Sequence, residues 1–209
     1  MEWYRKKSWS EKDKEEFFNR LKRARKYNRA QYLKIQAIEL IETNNLKLLD
    51  IAESLLNKML NEYSEEKSQI SSALNSLGDI YLKQNEIEKA IEFYRKSIDF
   101  EKNFPNVKTQ SYLEYSELII KNNKLEEFDF VETIILERFD DIIFPIEKYK
   151  TASILSIVYE KKGLKESSTK YAEIAEQNAN KETSGLRYHQ HLGLVNKRIN
   201  WLDRLVKRK

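Results

Sequence analysis

The chain has 209 residues, 34% of them charged, with four Gly, two Pro, no Cys and a formal net charge of +4. This composition is typical of a mostly helical protein, and it excludes disulfides, thiol catalysis and thiolate metal sites. No apolar run reaches the roughly 18 residues of a membrane span, so we expect a soluble protein. The start of the chain, Met1 to Lys7, leads into a charged helix and contains no apolar signal-peptide region, which predicts a cytoplasmic location.

The charge is unevenly distributed along the chain. Residues 1–35 carry +7, residues 181–209 carry +6, and the stretch between them carries −9. Such asymmetry predicts either electrostatic steering of a charged partner or ordinary solvated, lysine-rich helix faces.

The first predicted element is a helix over residues 10–26. Ser10 and Asp13 have the spacing of a capping box, in which each side chain binds the other's backbone N–H. The apolar residues that follow recur at helical spacing, and they are Phe17, Phe18, Leu21 and Ala24.

Four helical hairpins are predicted over residues 28–180. Asn45, Asn85, Asn123 and Gly163 are separated by 40, 38 and 40 residues. Asn and Gly tolerate the left-handed conformation that ends a helix, so each marks the turn of a hairpin. The predicted first (A) and second (B) helices are 28–42 and 47–61, 66–83 and 86–100, 107–121 and 125–139, and 146–161 and 165–178. Phe104-Pro105 and Phe144-Pro145 place Pro at or just before the start of an A helix, where its missing N–H costs little.

The last predicted element, over residues 183–209, is a capping helix with a basic tail. Val195, Ile199, Leu202 and Val206 form one apolar stripe, which would cover the open end of a stack of repeats. No linker-like composition divides the chain. We therefore predict one all-α domain over residues 1–209, a helical-hairpin solenoid of about four repeats with an extra helix at each end.

The second hairpin carries a family resemblance. Leu74, Leu77, Gly78 and Tyr81, followed by Ala90 and Tyr94, have the spacing of the tetratricopeptide repeat, which they resemble. Gly78 and Ala90 would allow a close helix contact, and Ser116 and Ser156 take the place of Gly78 in the next two hairpins. HEAT-like helix pairs are the alternative fold. The whole arrangement is similar to bacterial tetratricopeptide-repeat proteins of unassigned activity.

The resemblance implies that the A helices line a concave surface that binds a protein or peptide. The predicted partner-binding residues on this surface are Asn75, Asp79, Lys83, Leu113, Glu117, Lys121, Lys150 and Ser153. The Lys, Arg and Asn set of the family's peptide-carboxylate clamp is absent. Asp79 and Glu117 would make the surface locally acidic and favour a basic or mixed-charge partner, unless they are simply solvated.

A second candidate for recognition is the cluster Arg187, Tyr188 and His189, since Arg and Tyr are favoured at interface hot spots. The alternative, which we favour from the sequence, is that Tyr188 and His189 pack against the fourth hairpin. His189 and His191 do not form a persuasive metal pair, because residues two apart point away from each other on a helix.

The residues therefore predict a binding protein without catalytic, cofactor or metal sites, since no phosphate loop or nucleophile motif is present. The basic first helix lacks a helix-turn-helix turn, so nucleic-acid binding is not favoured. The predicted function is a non-enzymatic protein-interaction module, either an adaptor or an immunity-type protein. The alternative is a peptide-sensing regulatory domain that acts on an effector in trans.

Overall fold

The computed structural model describes residues 2–206, which form nine α-helices and no strand. The helices are α1 (Glu11–Arg23), α2 (Lys26–Ile41), α3 (Leu46–Glu62), α4 (Lys67–Lys83), α5 (Ile87–Asn103), α6 (Ser111–Lys121), α7 (Phe128–Phe139), α8 (Pro145–Lys161) and α9 (Lys165–Ala179). A single 3-10 turn, Leu125–Glu127, precedes α7. The predicted all-α, helical-hairpin fold class is confirmed.

The chain separates into two compact units, Met1–Ser111 and Tyr112–Lys209. In the first unit α2 packs on α3 and α4 on α5, and α4 also contacts α2 and α3. In the second unit α8 packs on α9 and contacts α7, while the rings of Tyr115 on α6 and Phe130 on α7 meet edge to face at 5.5 Å. The even-numbered helices α2 to α8 are thus A helices and the odd-numbered helices α3 to α9 are B helices. The single-domain assignment stays a prediction.

Each A helix ends at a residue in the left-handed conformation. Asn85, Asn123 and Gly163 have φ of 62°, 51° and 77°, as predicted. In the first hairpin the prediction is off by one residue, because Asn44 (φ 55°) takes the left-handed conformation. Asn45 is extended instead and caps α3, where its side-chain oxygen accepts from Lys47 N at 3.1 Å.

The close helix contact predicted at Gly78 is present in the second hairpin. A Cβ at Gly78 would lie 2.5 Å from Cδ1 of Tyr94, whose fully buried ring covers this position. In the fourth hairpin Ser156 occupies the same place on α8, and Ser168 of α9 donates to its carbonyl oxygen at 2.9 Å. Small residues therefore let the A and B helices approach in both hairpins.

The first helix begins as predicted and ends three residues early. Asp13 N donates to Ser10 Oγ at 3.2 Å and Ser10 N donates to Asp13 Oδ2 at 2.9 Å, which completes the capping box. The helix stops at Arg23, where Arg29 donates to the carbonyl oxygens of Lys22 (2.7 Å) and Ala24 (3.0 Å). Arg29 thus satisfies carbonyl groups that a helix end leaves without partners.

The third A helix begins later than predicted, at Ser111 rather than 107. Thr109 N and Thr109 Oγ1 both donate to the buried Glu101 carboxylate, at 2.8 and 2.7 Å. These bonds fix the segment after Pro105 in a non-helical conformation. Ser111 N then donates to Thr109 Oγ1 at 3.2 Å, as in a helix cap.

The predicted C-terminal helix is not formed within the described residues, where 181–206 adopt turns and bends. The segment still packs on the second unit: Leu202 is fully buried and Val206 is 6% exposed. Tyr149 of α8 donates to Asp203 at 2.8 Å and accepts from Ile199 N at 3.0 Å. Arg198 bridges Asp203 and Glu176 of α9. Burial, together with the Asp203 contact, raises the pKa of Tyr149 to about 12.

We expect Gly78→Ala to lower the free energy of unfolding by about 1–3 kcal/mol, because its Cβ would overlap the Tyr94 ring. Urea denaturation measures this loss. The matched control is Ser116→Ala, at the equivalent position of α6, where a Cβ is already present. Equal stability of Gly78→Ala and the wild type would show that the two helices tolerate a wider spacing.

Tyr149→Phe should destabilise the protein by about 1–3 kcal/mol, because Ile199 N and the buried Asp203 each lose a hydrogen-bond partner. Differential scanning calorimetry on this variant and on Tyr188→Phe, whose side chain is exposed, separates the docking contact from the general effect of losing a hydroxyl. Identical melting of both variants would contradict docking through Tyr149.

Candidate functional site

The candidate site is defined by the register of each A helix relative to its left-handed turn. Residues ten, six and two positions before that turn lie on one helix face, because neighbours four apart share a face. On α4 they are Asn75, Asp79 and Lys83, and on the adjacent α2 they are Lys34, Ile38 and Glu42. We call these six residues the α2–α4 face.

Sequence reasoning missed the α2 half of this face. With Asn45 taken as the turn, the register on α2 is displaced by one residue. The positive φ of Asn44 instead places Lys34 at the position equivalent to Asn75. The adjacent Asn44-Asn45 pair was the available signal, since either residue tolerates the left-handed conformation.

Asp79 and Asn75 are tied to neighbouring side chains. The hydroxyl of Tyr94 donates to Asp79 Oδ1 at 2.7 Å, and Asn75 Nδ2 donates to Asp79 Oδ2 at 3.4 Å. Ser111 Oγ donates to Asn75 Oδ1 at 2.5 Å. Both α4 residues are half-buried. Asp79 therefore holds the buried Tyr94 in place as well as facing solvent.

A polar network lies beneath Asn75 and was not predicted from the sequence. Its centre is Glu101, 4% exposed, which accepts from Ser71 Oγ at 2.5 Å and from Thr109. Ser97 adds a contact to Ser71 at 2.9 Å, and Thr109 Oγ1 lies 2.9 Å from Ser111 Oγ. The chain of hydrogen bonds thus runs from the end of α5 to the α4 face and fixes its geometry.

Two lysines, Lys34 and Lys83, supply the positive charge of the α2–α4 face. Lys34 is half-buried and has no hydrogen-bond or ion-pair partner among residues 2–206. Desolvation lowers the pKa of its ammonium group. Lys83 is exposed and donates to the Asn44 side chain, and the neighbouring Leu82 is 38% exposed. The face therefore offers cations, a carboxylate and apolar surface.

The predicted residues of the second unit are less accessible. Leu113 is 6% exposed and Ser153 is fully buried. Glu117 pairs with Lys150 at 2.8 Å, so its charge is balanced within the chain. Lys121 is exposed at the end of α6. Only Lys121 among these residues is both exposed and without an ion-pair partner in the described chain.

The C-terminal segment accounts for the burial of Ser153. Tyr149 and Glu160 lie four residues before and seven residues after it on the same face of α8. The segment contacts both, through Asp203 and Ile199 at Tyr149 and through Arg204 at Glu160 (3.3 Å). It therefore covers the A-helix face of α8.

A second repeated contact joins the A helices α4 and α8 to the B helices that precede them, α3 and α7. Tyr81 donates to Glu53 at 2.6 Å in the first unit, and Tyr159 donates to Glu132 at 2.7 Å in the second. Burial, with these carboxylates, raises the pKa of both tyrosines. The sequence signal is weak, because a glutamate 27 or 28 residues before a tyrosine is common in a chain with 34% charged residues and 12 tyrosines.

The cluster at residues 187–189 is exposed, so the interpretation that Tyr188 and His189 pack against the fourth hairpin is wrong. Tyr188 is 80% exposed and His189 is also exposed. The Arg187 guanidinium lies 5.2 Å from the centre of the Tyr188 ring. These side chains are exposed because the predicted C-terminal helix is not formed in the described chain, and the turn after Gly185 directs them away from α8 and α9.

Metal centres and membrane spans are the other features that the described chain, residues 2–206, could contain. No group of three or more His, Asp or Glu side chains there could hold a metal ion. None of its helices combines the length and apolar character that crossing a bilayer requires.

The hairpins and their small-residue contacts define a helical-repeat protein. Residues 71–104, which span α4 and α5, match the family model of the tetratricopeptide repeat. Residues 71–104 therefore form a tetratricopeptide repeat, and such repeats are generally scaffolds that bind proteins or peptides. A search of the curated proteins found no match.

Asp79→Ala should lower the free energy of unfolding by about 1–3 kcal/mol, because the hydroxyl of the buried Tyr94 loses its acceptor. Asp79→Asn keeps an oxygen there and should cost less. Adding Tyr94→Phe to Asp79→Ala should recover part of the loss, as a double-mutant cycle in urea will show. If Asp79→Ala unfolded at the same urea concentration as the wild type, the hydrogen bond between Asp79 and Tyr94 would not stabilise the fold.

Proposed function

We propose that this protein is a non-enzymatic interaction module that binds a protein or peptide segment of mixed charge on the α2–α4 face. The observation that carries the proposal is that a half-buried Lys34 on α2, without a partner among residues 2–206, and Asp79 on the adjacent α4 lie on the same face, one helical turn apart in register. A partially desolvated ammonium group gains more from an added carboxylate than a solvated one does.

The mixed charge follows from both signs on this face. Lys34 and Lys83 favour carboxylates of the partner, and Asp79 favours its cations, whereas Glu42 is already paired with Lys7 at 3.6 Å. Leu82 and Ile38 supply apolar contact. This revises the expectation of an acidic surface, because Lys34 adds a cation and Glu117 is already paired with Lys150.

Such a module would act by occupying a partner's surface, as adaptor and immunity-type proteins do, and we infer that it does so in the cytoplasm. Peptide sensing with an effector in trans uses the same face. The two are distinguished by the partner recovered, which is a folded protein in the first case and a short peptide in the second.

Affinity purification from the native cell with the full chain as bait should lose its partner in the Lys34→Ala/Lys83→Ala variant. The matched control is Lys96→Ala/Lys102→Ala, which removes two exposed lysines from α5. With the recovered partner, we expect the face variant to bind at least about 10-fold more weakly, or about 1.4 kcal/mol. Equal losses in both variants would mean that only general charge is involved, and the proposal would fail.

A further inference from the structure

We propose that the loop at residues 184–192 is a second, separate recognition surface that binds an acidic protein segment carrying an apolar or aromatic side chain. The segment is ordered by its own hydrogen bonds. Ser184 N donates to the Gln190 carbonyl oxygen at 2.7 Å and Ser184 Oγ donates to the His189 carbonyl oxygen at 2.8 Å. Residues 185–189 are thereby closed into a loop that presents Arg187 and Tyr188.

The tip of the loop is built from the side chains that dominate interfaces. Tyr188 is the most exposed of the large hydrophobic side chains in the described chain, at 80%. Arg187 lies over its ring. This contact limits the conformations of both side chains before binding, so less entropy is lost when a partner orders them. Exposed Tyr and Arg in such an arrangement are favoured as hot spots.

Apolar surface continues beside the loop. Gly193 touches the Phe144 ring, and its carbonyl oxygen accepts from Ile146 N at 2.7 Å. The chain neighbours of this contact, Leu192 and Ile143, are 53% and 64% exposed. These aliphatic side chains favour a protein partner over a phosphate backbone, because they offer nothing to phosphate groups.

Charge complementarity sets the acidic character of the partner. Arg187 has no carboxylate partner among the described residues, and Lys181 and Lys197 are exposed nearby in the chain. Of the two acids at 181–206, Asp203 is buried and bound to Arg198. The exposed surface of this segment is therefore mainly cationic and would attract carboxylates.

The test is selection of a displayed library of random dodecapeptides on the full chain, with counter-selection on Arg187→Ala/Tyr188→Ala. Enriched peptides should combine Asp or Glu with an aromatic or aliphatic residue. By fluorescence anisotropy, their synthetic forms should bind Arg187→Ala at least about 10-fold more weakly, as expected for a hot spot. Tyr188→Phe should retain binding because the ring is kept, and Lys181→Ala should change it less than about 2-fold.

Several outcomes would overturn this proposal. One is that enriched peptides are basic or bind Arg187→Ala normally. Another is that oligothymidylate, and none of the peptides, binds in an Arg187-dependent manner, which would identify a nucleic-acid surface. A third is that the double variant melts at lower temperature and loses binding only in proportion. Binding that survives in Lys34→Ala/Lys83→Ala separates this surface from the α2–α4 face, so either proposal can fail alone.

Discussion

The left-handed residue at the end of each A helix is the constraint on which the rest of the structure depends. It fixes the register of the helix before it. Seven positions before Asn44, Asn85, Asn123 and Gly163 stand Ala37, Gly78, Ser116 and Ser156, all small and buried. With this position turned toward the B helix, the residues ten and six before the turn must face elsewhere. One backbone conformation thus decides both the packing of each hairpin and the residues it can offer to a partner.

The polar side chains on the A helices already make contacts within the chain that stabilise the fold. Asp79 accepts from the buried Tyr94, Asn75 accepts from Ser111, and Glu117 pairs with Lys150. A carboxylate already paired with a cation, as Glu117 is with Lys150, gains little from a second cation, because the new attraction must replace an existing contact. Lys34 and Arg187 have no ion-pair partner among residues 2–206, so they are better suited to bind a charged partner than Glu117 is.

The C-terminal segment shows that an apolar stripe at helical spacing requires burial rather than a helix. Leu202 and Val206 are buried in a segment of turns. Tyr149, Asp203 and Arg198 supply hydrogen bonds and charge pairing there. Because turns form where a helix was predicted, Arg187 and Tyr188 project from a short closed loop. This loop is an exposed surface at the C-terminal end of the second unit.

The amino-acid sequence alone determined the helices of the four hairpins, three of their four turns and the close contact at Gly78, because helix periodicity, caps and left-handed turns are local and depend on neighbouring residues. It located Asn75, Asp79 and Lys83 on one face for the same reason. Lys34 required the structure, since two adjacent asparagines compete for one turn and only packing decides between them. The Glu101 network, the Glu117–Lys150 pair and the burial of Ser153 were also decided by tertiary structure, because each joins residues distant in the chain whose meeting no local pattern records.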